Sequence, residues 1–205
     1  MRLFAIVPAA GLSRRMGQPK LVIDLLGKPV VRWLLDTLAQ SQIETTAVIM
    51  RSSDQELQQY VSRPDALAVL PDVDPPDMRT SVEHGLRAIE KQFHPQPGDG
   101  WLLIPADHPV LEVSVLLELI SAWNRSAADV LVPQHQGRRG HPAFFRWKLA
   151  SRVSSVPEGS GINWLLKSSD VQVEAVDVRS ETVLLDLDTP ADFAALRQKM
   201  MHRNE

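Results

Sequence analysis

The sequence predicts an α/β fold in which helices sandwich a doubly wound, mainly parallel β-sheet. Short runs rich in leucine and β-branched residues recur along the chain, and most are apolar at consecutive positions. Such runs are typical of strands that are buried on both faces. Segments in which apolar residues have helical spacing lie between them. This alternation favours a parallel sheet whose strands are joined by right-handed crossovers.

The predicted elements cover most of the chain. We expect strands at residues 3–7, 47–50, 68–70, 101–104, 130–132 and 171–176, and helices at residues 30–39, 81–93, 113–123 and 191–201. Glu112 or Ser114 is expected near the start of the third helix. Before the last helix, Thr189 can act as the N-cap and Pro190 suits the first helical turn.

Composition limits the classes of function. The chain has 205 residues, a formal net charge of -3 and no cysteine. This length favours one domain, residues 1–205. The negative net charge supplies no basic field for nucleic acid, so we expect no nucleic-acid partner. The absence of cysteine excludes disulfides, thiolate metal sites and cysteine nucleophiles, and it fits a reducing compartment.

The apolar residues are not arranged for export or for a membrane. Residues 1–7 form too short an apolar run for a secretory signal. No apolar run approaches the roughly 20 residues that a membrane helix needs. We therefore expect a soluble protein of the cytoplasm without a membrane partner.

A loop rich in glycine and alanine follows the first predicted strand. It begins at Ala9-Ala10-Gly11 and carries the basic residues Arg14, Arg15 and Lys20. Small residues let backbone N–H groups approach an anion, and ligands of open α/β sheets bind beyond the carboxyl ends of the strands. The loop matches neither the P-loop nor the dinucleotide fingerprint. Its composition predicts phosphate binding, with a solvated surface loop as the alternative.

The loop also carries a resemblance to a known family. Residues 11–20 have the pattern G-x-S-x-R-M-G-x-x-K, which resembles the signature loop of the nucleotidyltransferases that complete the molybdenum cofactor. The similarity continues through Leu-Gly-Lys-Pro at 26–29, Asp-His-Pro at 107–109, Gly-His-Pro at 140–142 and Asp-Leu-Asp-Thr-Pro-Ala-Asp at 186–192. The cytidylyltransferase branch is the most similar, because it shares Ala-Ala-Gly in the loop and Gly-His-Pro in the second half.

This resemblance implies a Rossmann-like nucleotidyltransferase fold and a reaction. The expected enzyme transfers a nucleoside monophosphate from an NTP to a phosphorylated pterin and releases pyrophosphate. Its expected partners are therefore an NTP, a molybdopterin-type acceptor, and a molybdenum hydroxylase or its chaperone. A sugar-1-phosphate nucleotidyltransferase and a non-catalytic protein that binds nucleotide or cofactor are the alternatives.

The resemblance also implies roles for particular residues. Arg15 and Lys20, with the loop N–H groups, would hold the triphosphate and stabilise the departing pyrophosphate. The nucleotide-binding residues would be Pro8, Ala9, Ala10, Gly11, Arg15, Lys20, Ser81 and Asp107. Ser81 and Thr80 are expected to open a helix and to meet the base or sugar, although capping explains them as well.

Two carboxylates are the expected magnesium ligands. Asp107 follows the buried run 101–104, and Asp188 lies just before the last helix. Mg²⁺ prefers carboxylate, water and phosphate oxygens, so we expect Asp107 to be catalytic and to hold Mg²⁺, with Asp188 as a second ligand. Helix capping is the alternative for both residues. His141 is expected near the acceptor, or as an ordinary turn residue beside Pro142.

Three departures from the family pattern leave open which nucleotide base the protein binds. Pro8 precedes Ala-Ala-Gly, His108 occupies the middle of Asp-x-Pro, and residues 76–81 lack the glycine that usually precedes the serine. None of them removes a residue expected to bind phosphate or metal. CTP is the favoured nucleotide and GTP is the second candidate.

Overall fold

The structure is a computed structural model that describes residues 1–203. Within this range the strands are β1 (Leu3–Pro8), β2 (Asp24–Leu25), β3 (Lys28–Pro29), β4 (Thr45–Ile49), β5 (Ala66–Val69), β6 (Gly100–Leu103), β7 (Val130–His135), β8 (Arg138–Arg139), β9 (Ala143–Arg146) and β10 (Val173–Asp177). The α-helices are α1 (Val30–Ala39), α2 (Gln55–Val61), α3 (Met78–Phe93), α4 (Val113–Arg125) and α5 (Pro190–Arg203). None of the described helices is both long and apolar enough to cross a membrane.

The main sheet is mainly parallel, as predicted, and also contains antiparallel pairs. Its strand order is β10-β7-β9-β6-β1-β4-β5, and β8 pairs with β7 outside this path. β1 lies between β6 and β4 inside the sheet and runs parallel to both. β9 is antiparallel to β6 and β7, between which it lies. The prediction of a doubly wound, mainly parallel sheet is therefore confirmed.

Two apolar cores cover the two faces of this sheet. Alternate residues of β1 face opposite sides: Ala5 belongs to one core and Phe4 to the other. The first core contains buried residues of α1, α2, α4 and α5, and the second contains those of α3 and of a 3₁₀ segment, Trp147–Ser155. β1, β4 and β6 are buried on both faces, as their unbroken apolar runs predict.

The sequence prediction missed two elements of the core. α2 contains only two buried residues, Leu57 and Val61, so its helical pattern in the sequence is weak. β9 is four residues long and directly follows the Gly-His-Pro turn, which local sequence favours as a loop. Its place is determined by distant contacts, such as the ring of Phe145 stacked 4.2 Å from that of Trp101.

Helix ends agree with the prediction in one case and differ in another. Thr189 caps α5: the Asp192 N–H donates to Thr189 Oγ1 over 3.2 Å, and the Thr189 N–H donates to Asp192 Oδ2 over 2.7 Å. This reciprocal pair is a capping box. α3 begins at Met78, three positions before the predicted Ser81, because Asp77 Oδ1 accepts from the Thr80 N–H at 2.7 Å and caps the helix.

Backbone hydrogen bonds join three segments at one edge of the sheet. Ala106 N–H donates to Pro8 O over 3.2 Å, which fixes the loop after β6 against the end of β1. Leu187 N–H donates to Asp107 O over 2.8 Å, which brings in the segment before α5. The carboxyl ends of β1 and β6 therefore meet the start of α5.

Candidate active site

A cleft of about 550 Å³ opens at this edge of the sheet. Its walls come from the loop after β1, the start of α3, the loop after β6 and the segment before α5. All eight residues predicted to bind nucleotide line it, and so does the second predicted metal ligand: Pro8, Ala9, Ala10, Gly11, Arg15, Lys20, Ser81, Asp107 and Asp188. The structure thus brings the predicted site residues together in one place.

Four charged side chains form an ion-pair cluster at the floor of the cleft. Lys20 Nζ lies 2.6 Å from Asp107 Oδ2 and 2.9 Å from Asp188 Oδ1. Arg15 Nη2 lies 2.7 Å from Asp188 Oδ2. The side chains of Lys20, Asp107 and Asp188 are 13%, 17% and 23% exposed, whereas that of Arg15 is 70% exposed. Lys20 is therefore the inner cation of the cluster and Arg15 the outer one.

The loop after β1 is folded so that Lys20 points inward. Ser13 and Gly17 have positive φ angles of 50° and 71°, and the Met16 and Gly17 N–H groups both donate to Ser13 O. Ser13 Oγ accepts from the Lys20 N–H at 3.2 Å. Buried Met16 and Leu21 anchor the two sides of the turn in the first core. Within residues 1–203, the N–H groups of Gly11 and Leu12 have no protein partner and remain available to an anion.

Local electrostatics favour the charged forms of Lys20 and Asp188. Burial alone would lower the pKa of Lys20, but Asp107 and Asp188 outweigh it and raise that pKa above its ordinary value. Burial would raise the pKa of Asp188, but Lys20 and Arg15 hold it below its ordinary value. Burial and the neighbouring charges of Asp188 and Asp107 raise the pKa of Asp186. Lys20 and Asp188 thus stabilise each other's charged form.

The geometry decides against helix capping for both predicted metal ligands. α4 begins at Val113, six positions after Asp107, and the Asp107 carboxylate faces Lys20 instead. Thr189 caps α5, while both carboxylate oxygens of Asp188 face cations. In the described chain, no group of three or more His, Asp or Glu side chains is arranged to hold a metal. A metal here would take two protein carboxylates and complete its shell with substrate or water oxygens.

Ser81 differs from its predicted placement. It lies one turn inside α3 rather than at the helix start, and its Oγ donates to Asp77 O over 3.1 Å. The hydroxyl proton is therefore donated within the helix, although the residue still lines the cleft. The adjoining wall is formed by Pro75, Pro76 and Met78, which the sequence reasoning missed. The proline-rich run before α3 indicates a loop, but nothing in its sequence indicates that this loop lines a binding cleft.

A buried histidine pair lies behind Asp107. The rings of His108 and His141 meet edge to face with centroids 5.1 Å apart, and each Nδ1 is buried without a hydrogen-bond partner. Burial lowers the pKa of both, that of His141 to about 4, so both rings are neutral. His141 is not among the residues that line the cleft; its ring packs against that of His108, the residue after Asp107. Its placement near an acceptor stays a prediction.

A second cleft of about 720 Å³ lies on the other side of the same loop, against Arg51 and the start of α2. It is larger, but neither carboxylate of the ion-pair cluster lines it. Of these two clefts, only the smaller is lined by Lys20, Asp107 and Asp188.

A glycine-rich loop and paired carboxylates at the carboxyl edge of the sheet place this protein among the open α/β folds that bind ligands at that edge. Residues 5–174 match the model of the MobA-like NTP transferase domain, and the chain belongs to this family. This confirms the resemblance drawn from the loop and the motifs that follow it.

Similar proteins cover the chain almost completely. Purine catabolism protein PucB of Bacillus subtilis is 29% identical over 208 residues, covering 97% of both chains. Molybdenum cofactor cytidylyltransferase of Escherichia coli is 23% identical over 202 residues, covering 95% of both chains.

The fold is shared with solved structures. The crystal structure of Rv0371c from Mycobacterium tuberculosis H37Rv superposes with a TM-score of 0.82 at 21% identity, covering 97% of this chain and 99% of that one. A second crystal structure of Rv0371c, described as a complex with manganese, superposes with a TM-score of 0.74 at 20% identity, with the same coverage.

Proposed function

We propose that the protein transfers a nucleoside monophosphate from an NTP, with CTP favoured, to a phosphorylated pterin of the molybdenum cofactor. An acceptor phosphate oxygen attacks the α-phosphorus and forms a new P–O bond. The bond from the α-phosphorus to the oxygen that bridges to the β-phosphate breaks, and its electron pair leaves with pyrophosphate. The observation that carries this proposal is Lys20 Nζ between Asp107 and Asp188 beside the glycine-rich loop.

The cations of the cleft supply the main requirement of this reaction. Donor and acceptor are both anionic, so positioning and charge neutralisation contribute more than a covalent nucleophile does. Lys20 and Arg15 would bind the triphosphate together with the free N–H groups of Gly11 and Leu12. Because this charge compensation grows as pyrophosphate departs, the same contacts stabilise the transition state.

The donor set of the cleft fits Mg²⁺. One ammonium group already lies within 3 Å of a carboxylate oxygen from both Asp107 and Asp188, so a single small cation can reach both. Mg²⁺ is usually bound by one or two carboxylates together with waters and substrate phosphates. Asp107 and Asp188 would hold Mg²⁺, which would supply positive charge at the α-phosphate. The manganese complex of Rv0371c supports a divalent cation in this fold.

The choice of CTP rests on the small residues beside the cleft. Ala10 and Met78 both line the cleft. The methyl group of Ala10 would occupy space that a second glycine would leave open to a larger base. This favours cytosine over guanine. The similarity to a molybdenum cofactor cytidylyltransferase along 95% of the chain supports the same choice and a molybdopterin-type acceptor. We propose a cytoplasmic enzyme whose product passes to a molybdenum hydroxylase or its chaperone.

The test is pyrophosphate release by the purified chain with CTP, Mg²⁺ and molybdopterin. We expect release that requires the acceptor and the metal, and a product with the mass of a cytidine dinucleotide of the pterin. The same assay with GTP separates the cytidylyl from the guanylyl reaction. The same assay with sugar 1-phosphates as acceptors tests the alternative, a sugar-1-phosphate nucleotidyltransferase. Nucleotide binding without pyrophosphate release from any pair would contradict catalysis and favour a binding protein.

A further inference from the structure

The ion-pair cluster compensates its own charges when no ligand is bound. Asp107 and Asp188 contribute two negative charges, and Lys20 and Arg15 contribute two positive charges. Lys20 Nζ bridges the two carboxylates at 2.6 and 2.9 Å, and Arg15 takes the remaining oxygen of Asp188 at 2.7 Å. Both oxygens of Asp188 therefore face a cation of the protein itself.

This arrangement conflicts with the arrangement that the reaction needs. The proposed function assigns both carboxylates to a divalent cation and both basic side chains to the triphosphate. An ammonium group within hydrogen-bond distance of both carboxylates occupies the space between them, where a metal would contact the same oxygens. Lys20 must therefore leave the carboxylates before a metal can bridge them.

Charge balance indicates how the two ligands affect one another. A metal that binds alone displaces Lys20 and leaves this largely buried cation without a counter-charge. A nucleotide that binds alone draws the cations to its phosphates and leaves two carboxylates uncompensated beside them. Unpaired charges with little solvent around them are costly. Among the states with a ligand bound, only the one with both ligands gives all four charges of the cluster a partner.

The side chains can exchange partners without disturbing the core. Arg15 is mostly exposed, so its guanidinium can turn toward the cleft at little cost. The backbone of Lys20 is held by Ser13 Oγ, and the loop is anchored through Met16 and Leu21. Rotation of the flexible lysine stem therefore moves the ammonium group while the loop stays in place.

We propose that Lys20 and Arg15 act as an internal substitute for the divalent cation, and that metal and nucleotide bind cooperatively by exchanging partners with them. In the ligand-free protein the two cations hold Asp107 and Asp188. In the ternary complex the metal takes the carboxylates and the two cations take the phosphates. This inference rests on the proposed function, and it predicts that the ligand-free cleft binds a divalent cation weakly.

The experiment measures Mn²⁺ binding by the loss of its free EPR signal. Each protein is titrated with and without α,β-methylene CTP, which cannot transfer its nucleotide, and Mn²⁺ bound by the free analogue is subtracted. For the wild type we expect the analogue to tighten Mn²⁺ binding by about 5- to 150-fold, the usual range of coupling between two sites. In Lys20→Met we expect Mn²⁺ alone to bind about tenfold more tightly, with a smaller effect of the analogue.

A pair of neighbouring arginines provides the matched control and does not depend on the lysine variant. Arg15 and Arg14 are adjacent and both exposed, and both line the cleft. Within the described residues Arg15 pairs with Asp188, whereas Arg14 has no ion pair. Arg15→Gln and Arg14→Gln remove the same charge from the same loop. We expect tighter binding of Mn²⁺ alone in Arg15→Gln and almost none of this gain in Arg14→Gln.

Two results would overturn the inference, and they differ in what they say about the proposed function. If Mn²⁺ alone binds Lys20→Met and Arg15→Gln no more tightly than Arg14→Gln, while Asp107→Asn weakens Mn²⁺ binding, partner exchange is wrong and the metal site stands. If Asp107→Asn and Asp188→Asn leave Mn²⁺ binding unchanged with and without the analogue, the metal site and the exchange are both wrong. The Mn²⁺ titrations without nucleotide do not depend on which base the protein prefers.

Discussion

Lys20 and Asp107 lie 87 positions apart in the chain, yet Lys20 Nζ donates a hydrogen bond of 2.6 Å to Asp107 Oδ2. The contact joins the loop after β1 to the loop after β6, whose strands are parallel neighbours. It places the inner cation of the cleft against the carboxylate on which the proposed metal site depends. The reaction, its metal dependence and the coupling of its ligands all centre on this pair.

Lys20→Ala should lower kcat/KM by at least several tens-fold, because the lost cation would face the developing charge on pyrophosphate. Lys28→Ala is the matched control, since Lys28 also forms an ion pair, with Asp36 at 2.8 Å, and does not line the cleft. The check is steady-state kinetics beside thermal unfolding. Equal losses of activity in the two variants, or a loss of Tm that matches the loss of activity, would count against the role of Lys20.

Ala10→Gly should narrow the preference for CTP over GTP. A methyl-sized difference in a binding pocket is worth roughly 1–3 kcal/mol, or about 10- to 200-fold, so the wild type should favour CTP clearly without excluding GTP. The check is kcat/KM for both nucleotides with the same molybdopterin acceptor. A wild type that prefers GTP would contradict the cytidylyl assignment and leave the roles of Lys20 and Asp107 intact.

Gly140→Ala should weaken both stability and activity. A Cβ at Gly140 would lie 2.2 Å from the backbone oxygen of Val183, which cannot move aside as a side chain can. Forced overpacking of this kind typically costs about 1–3 kcal/mol. The displaced backbone leads to Asp188, so kcat/KM should fall as well. Gly98→Ala is the control, because an added Cβ there has no neighbour within 4 Å. Similar urea midpoints for the two variants would refute this prediction.

Asp99→Asn should destabilise the protein at neutral pH by about 2 kcal/mol, because Asp99 accepts charge-assisted bonds from Arg2 and a bond from the Gln96 N–H. Burial would raise the pKa of Asp99, but these donors hold it below its ordinary value. A depressed folded pKa contributes stability above the unfolded value near 4, and this stability is lost as the pH falls further.

The free energy of unfolding of Asp99→Asn should therefore approach that of the wild type below about pH 4. Urea denaturation at neutral and acidic pH measures both values. Asp170→Asn, which breaks an exposed ion pair with Arg152, should change stability little at either pH. A constant difference between Asp99→Asn and the wild type across this range would show that the Asp99 charge does not contribute.

Much of the fold, and many of the residues that line the cleft, could be predicted from the sequence. Strands buried on both faces have unbroken apolar runs, and each of the six predicted strands overlaps an observed one. Residues that follow parallel strands meet at one edge of the sheet, so the loop after β1 and Asp107 were expected to share a site. The signals for these features are local in sequence.

Other features depend on contacts between distant parts of the chain and left little local signal. β9 is antiparallel because it lies between β6 and β7, which its four residues do not reveal. The start of α3 depends on the side chain of Asp77, four positions before the serine that marked the predicted start. The hydrogen bond from Lys20 to Asp188 joins residues 168 positions apart and forms only in the folded chain.

The most direct test of nucleotidyl transfer at this cleft follows the label from [α-³²P]CTP with molybdopterin and Mg²⁺. In the wild type we expect this label to move to the pterin and the label of [γ-³²P]CTP to leave in pyrophosphate. We expect neither with Asp107→Asn, whose amide has a similar shape but lacks the charge for the metal. Wild-type transfer rates and an unchanged magnesium requirement in Asp107→Asn would contradict this expectation.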